Sequence, residues 1–128
     1  MNNSNRPLSP FMIGPYYRPQ LTSVLSITHR GTGVFLALVS TPLLLWWLIA
    51  LAGGPDQFEQ MTSLVSGLPG RAVVLVSIYC LSFHLFNGMR HLIWDMGFGL
   101  EMKAATASGW GVVALSLLMT GLLAGGIL

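Results

Sequence analysis

The chain has 128 residues, of which 53% are hydrophobic and 8% charged, with a formal net charge of +2. A soluble domain carries about 25% charged residues, so this little charge cannot coat a water-facing surface, and an ordinary soluble fold is excluded. No basic stripe interleaved with aromatic residues suggests nucleic acid, and the single cysteine, Cys80, rules out an intrachain disulfide.

The N-terminal stretch "MNNSNRPLSPFMIGPYYRPQ" lacks the apolar core of a secretory signal. Its basic residues are Arg6 and Arg18, and its prolines break any amphipathic transit helix. The expected organisation is a cytoplasmic segment over 1–20 and a three-helix transmembrane domain over 21–128.

"TSVLSITHRGTG" (22–33) comes next. Thr22, Ser26 and Arg30 are spaced by four and share a face of a helix beginning near Leu21. They can be helix-start hydroxyls and an interfacial anchor, or a polar pocket whose donors meet a carbonyl or a carboxylate. The first span is expected over 31–52, "GTGVFLALVSTPLLLWWLIALA", which is uncharged and carries Pro42 as a kink candidate. About 20 apolar residues cross a bilayer core. "GGPDQFEQMTSLVSGLPG" (53–70) reads as a linker, and the second span is expected over 72–94. A short loop follows, then a third span over 104–128 with no charge after Lys103.

Basic residues set orientation. Arg6, Arg18 and Arg30 precede the first span, Arg90 and Lys103 flank the second loop, and the first loop offers Arg71 beside Asp56 and Glu59. The N-terminus and second loop are therefore expected on the cytoplasmic side. Three spans do not suit a two-fold inverted-repeat transporter.

"SFHLFNGMRHLIWDMG" (82–97) places ionisable groups within the second span. Such groups in lipid are costly and mark function by default. At about 100° per residue, Ser77, Cys80, His84, Gly88, His91 and Asp95 fall in one column, and Arg90 points away from it. Small and polar residues can serve close helix packing alone. His84, with Gly88 one turn on, can instead ligate a flat macrocycle's iron, since histidine is a common haem ligand. A proton relay and a structural hydrogen bond are the other readings of His84.

His84 and His91 cannot be the two axial ligands of one iron. Such nitrogens lie on opposite sides of the metal, about 4 Å apart, whereas these rings share a helix face about 10 Å apart along the axis. His29 is expected near the membrane boundary, roughly 15 Å from the depth of His84 if the spans stand upright. A six-coordinate haem would then need a ligand from another chain.

"RPLSP", "SITHRGTG" and "HLFNGMRHLIWD" together resemble the cytochrome b556 subunits of succinate dehydrogenase. Motif order, spacing, span number and length all agree over nearly the whole chain. "RPLSP" is often followed by His in that family, and Phe11 stands here. The resemblance implies an all-α membrane protein, half of a heterodimeric haem-binding helical anchor that pairs with a second three-helix anchor subunit. It implies docking of an iron–sulfur subunit and through it a flavoprotein, with electrons from succinate passing to ubiquinone. It implies haem b ligated by His84, with His29 and Arg30 as propionate candidates; His91, about 10 Å further toward the cytoplasmic side, is a third by position. It implies a quinone site at Ser26 and Arg30; Asp95, which closes the second span at a similar depth, is a candidate neighbour by position. It also implies a bacterial inner membrane location, ahead of a mitochondrial inner membrane. Beside this stand a fumarate reductase anchor, a haem-free structural anchor and a small transporter using the polar column.

Overall fold

A computed structural model describes residues 20–127. The expected cytoplasmic segment over 1–20, with "RPLSP", Phe11 and Arg18, lies outside the described residues except for Gln20, as does Leu128. Every described element is helical: α1 (Leu21–Phe35), a π segment (Leu36–Ser40), α2 (Thr41–Ala52), α3 (Pro55–Ser66), α4 (Leu68–Asp95) and α5 (Met102–Ile127).

Three helices are long and apolar enough to cross a membrane: Leu21–Ala52, Leu68–Asp95 and Met102–Ile127. They contain the cores of the three expected spans. The first is 32 residues long, or about 48 Å at 1.5 Å per residue. That exceeds the roughly 30 Å of a hydrocarbon core. The extra turns all precede Gly31, and they carry Ser26, His29 and Arg30.

Pro42 explains the π segment. Proline has no N–H and its ring crowds the carbonyl four residues back, so a regular helix cannot continue unchanged. The chain widens by one residue instead. The Thr41 backbone N–H reaches the Leu36 carbonyl, and the Thr41 hydroxyl donates to the same oxygen at 2.9 Å. The Ser40 hydroxyl donates to Ser77 Oγ on α4 at 2.9 Å, tying the widened turn to the second span.

The stretch read as a linker over 53–70 contains a helix of its own. Gly54 has φ 105, Pro55 opens α3 at its first position, and Asp56 lies in the first turn. These are ordinary helix-start signals. Phe58, Met61 and Val65 share a face. Met61 is buried, and the Phe58 ring meets Trp47 edge-on with centroids 6.2 Å apart.

At the other end, α4 closes on Gly97 (φ 88). The Gly97 N–H reaches Trp94 O at 2.8 Å and the Phe98 N–H reaches Ile93 O at 3.3 Å. This pair of bonds is the Schellman pattern, which needs a left-handed residue and so favours glycine. The chain then returns as α5. The core takes one residue from each span: Leu25, Phe83 and Val112. Small and hydroxyl residues of α5 (Ala105, Gly109, Ser116, Thr120) are buried at spacings of four and seven. A Cβ on Gly109 would stand 2.7 Å from Leu25 Cδ1, so glycine there sets the approach of α1 to α5. Such close small-residue seams are how helices pack without a hydrophobic drive in lipid.

Candidate functional site

The three histidines converge where α1 crosses α4. The His29 and His84 rings stack with centroids 3.9 Å apart and planes 8° apart. His91 lies 5.5 Å from the His29 ring, and it meets Trp94 edge-on at 5.1 Å. The expected separation of roughly 15 Å between His29 and His84 is therefore corrected. The helix already begins at Leu21, so His29 sits two turns inside it and lies against α4.

Span one also grips the His84 ring by its edge. His84 Nδ1 lies 3.1 Å from the His29 carbonyl and 3.2 Å from Thr32 Oγ1. The Thr32 hydroxyl donates to that same carbonyl at 2.8 Å. Thr32 is buried. Next to it, a Cβ on Gly33 would come within 2.9 Å of His84 Cε1. On α4, a Cβ on Gly88 would meet only the His29 ring, at 3.8 Å. His29 Nδ1 is buried and has no hydrogen-bond partner among the described residues. No three His, Cys, Asp or Glu side chains converge as a metal cage among the described residues.

The other predicted positions are less enclosed. Ser26 is half-buried, Arg30 is exposed, and Asp95 is exposed as the last residue of α4. A groove of about 490 Å³ lies elsewhere, between α2, α3 and α4, with Ser40, Trp47, Met61 and Ser77 in its walls. None of the predicted site residues lines it.

A second polar cluster escaped the sequence reading, which had Arg90 turned away from the column. That turn carries Arg90 into the bundle, where it is 5% exposed. Its Nε donates to Ser108 Oγ at 2.9 Å, one terminal nitrogen to Asn87 Oδ1 at 3.2 Å, and the other to the Ala105 carbonyl at 2.9 Å. The guanidinium carbon also sits 3.9 Å over the Trp94 ring. The signal was present: Asn87, Arg90 and Trp94 follow each other at spacings of three and four.

The family model for the succinate dehydrogenase/fumarate reductase transmembrane subunit matches residues 2–123. The chain belongs to this family. Among its relatives, the succinate dehydrogenase cytochrome b556 subunit of Rickettsia prowazekii is 42% identical over 121 residues, covering 94% of this chain and 91% of the relative. The subunit of the same name from Paracoccus denitrificans is 35% identical over 119 residues, covering 93% and 89%. The mitochondrial succinate dehydrogenase cytochrome b560 subunit of Sus scrofa is 41% identical over 120 residues, covering 90% and 68%. The family match takes in the first two spans and most of the third, so both polar clusters belong to a succinate dehydrogenase/fumarate reductase transmembrane subunit.

Proposed function

We propose that this chain anchors a succinate:ubiquinone oxidoreductase in the bacterial inner membrane, binds haem b, and passes electrons from an iron–sulfur subunit to ubiquinone. Its partners in this reading are a second three-helix anchor, the iron–sulfur subunit and, through it, a flavoprotein. The observation that carries the reading is the His84 ring, held through Nδ1 by span one in a chain of this family.

The donor set fits the group. A single imidazole suits an iron whose equatorial ligands arrive with it, and the three histidines form no cage of their own. The orphaned His29 Nδ1 beside the ring suits a propionate oxygen. Haem, when bound, supplies one-electron redox chemistry within the span. His29 would not hold the same iron as His84 in this arrangement, because the two rings stack face to face with centroids 3.9 Å apart and leave no space for a metal between them. The second ligand is thus assigned to the partner anchor.

Ser26 and Arg30 stand one turn apart on α1, on either side of His29 in the chain. In this reading the Ser26 hydroxyl donates to a quinone carbonyl. Arg30 offsets negative charge gained by the quinone or carried by the propionates. The exposed Arg30 and Asp95 border the water that must supply two protons for each quinone reduced. His91, next to His29, is a further propionate candidate. Direction is the remaining choice, since a fumarate reductase anchor would use the same groups.

The test is a reduced-minus-oxidised absorption spectrum of the purified complex. The wild type should show b-type bands, His84→Ala should lose them, and His91→Ala should lose less. No bands in the wild type would make the chain a structural anchor. Equal losses, or a greater loss in His91→Ala, would overturn the ligand assignment.

A further inference from the structure

The following rests on the reading of His84 as the iron ligand, and it concerns which of its nitrogens is free. Nδ1 faces two oxygens of span one, the His29 carbonyl at 3.1 Å and Thr32 Oγ1 at 3.2 Å. A carbonyl oxygen only accepts, so a bare Nδ1 would set lone pair against lone pair. The Thr32 hydroxyl has one proton, already aimed at that carbonyl over 2.8 Å. With the proton on Nδ1 every contact is satisfied. Nδ1–H is shared between the carbonyl and the hydroxyl oxygen, and the hydroxyl donates to the same carbonyl beside its helix bond. A neutral imidazole protonated at Nδ1 carries its lone pair on Nε2, the atom that can bind metal.

Two further contacts fix where Nε2 points. The His29 ring lies flat against His84, 8° from parallel, so the imidazole cannot rotate freely. Gly33 lies against Cε1, the atom between the two nitrogens, and a Cβ there would stand at 2.9 Å. Ordinary carbon contacts need more room, so any side chain at 33 displaces the ring. The backbone of α1 thus holds the imidazole with no atoms to spare.

We propose that Thr32 and Gly33 are positioning residues for the iron ligand: Thr32 gives His84 Nδ1–H a second acceptor beside the His29 carbonyl, and the bare Gly33 admits its ring. Partners at the distal nitrogen of a metal-bound histidine raise its basicity and hold its orientation, and their loss costs about 10–100-fold in metal affinity or activity.

The experiment uses the purified, assembled complex. Thr32→Val keeps the side-chain shape and removes the hydroxyl, Thr32→Ser restores it, and Gly33→Ala adds the clashing carbon. Haem per complex, haem midpoint potential and the low-spin electron paramagnetic resonance spectrum of the oxidised haem are measured after subunit content. Thr32→Val should raise the midpoint potential, because Nδ1–H loses an acceptor and the ligand becomes less basic. Thr32→Ser should return it to the wild-type value. Gly33→Ala should shift the resonance positions, which follow ring orientation, and lower haem affinity on the order of ten-fold. If valine blocks assembly, Thr32→Ala gives the same reading. Wild-type haem content, potential and resonance in the Thr32 and Gly33 variants, with haem lost in His84→Ala, would overturn the positioning roles alone. Haem retained in His84→Ala would overturn the ligand reading, and this inference with it.

Discussion

A buried charge in a membrane helix shows most plainly what one residue can do. The Arg90 guanidinium is satisfied by three neutral acceptors, Ser108, Asn87 and the Ala105 carbonyl, and by the face of Trp94. It joins α4 to α5 close to the turn between them. Its planar fork reaches several acceptors at once, which a lysine ammonium cannot do. Arg90→Leu would leave the Asn87 side chain without a partner, since Asn87 Nδ2 already has none among the described residues. Each stranded buried group costs on the order of 1–3 kcal/mol. The melting midpoint of the detergent-solubilised complex should therefore fall most in Arg90→Leu and less in Arg90→Lys. A leucine variant as stable as the wild type would show that the network contributes nothing net. The sequence displayed this cluster only in part. The angular reading sent Arg90 away from the histidine column correctly, but a single helix cannot reveal what its opposite face meets. That required α5, whose Ala105, Ser108 and Gly109 are unremarkable in isolation.

At the scale of elements, the spans were legible from apolar length, and their interruptions were legible from proline and glycine. Pro42 was readable as a kink, but a π segment with a seam to α4 depends on Thr41 and Ser40 finding acceptors. The start of α1 was less legible. Apolar content begins in earnest at Gly31, while the helix runs from Leu21, and this difference is what had placed His29 too far from His84. The helix within the 53–70 stretch was missed because it is too short and too polar to read as a span. The Ser40–Ser77 bond offers a measure of what a polar seam contributes in lipid. Hydrogen bonds between membrane helices average about 0.6 kcal/mol in double-mutant cycles. Ser40→Ala and Ser77→Ala should each cost about that much, and the double variant should cost little more than either single one. Fully additive losses in the same thermal assay would show that the two hydroxyls act independently.

On the scale of the whole molecule, the chain sets a histidine cluster beside a polar entry to span one and leaves the remaining partners outside itself. If Ser26 and Arg30 bind quinone, their loss should separate two activities of one assembled complex. Oxidation of succinate by an artificial acceptor draws electrons from the soluble subunits and should be unchanged. Reduction of ubiquinone needs donors at the carbonyl oxygens. A hydrogen bond contributes about 1 kcal/mol, and one to a charged group about 1.5–3 kcal/mol. Ser26→Ala should thus slow quinone reduction about five-fold, and Arg30→Leu should slow it more, since about 1.4 kcal/mol is a factor of ten. Arg30→Lys should recover part, because a point charge replaces the fork without matching its geometry. The exposure of Arg30 means that its substitution leaves no hole in the bundle, so subunit content should remain that of the wild type, and haem content is measured beside it because the same guanidinium is a propionate candidate. Ser26 is half-buried and tests the same site from within the helix. Unchanged quinone turnover in both Ser26→Ala and Arg30→Leu would remove the quinone from this end of α1. Equal loss of both activities, with subunits missing, would mean instead that these residues serve assembly.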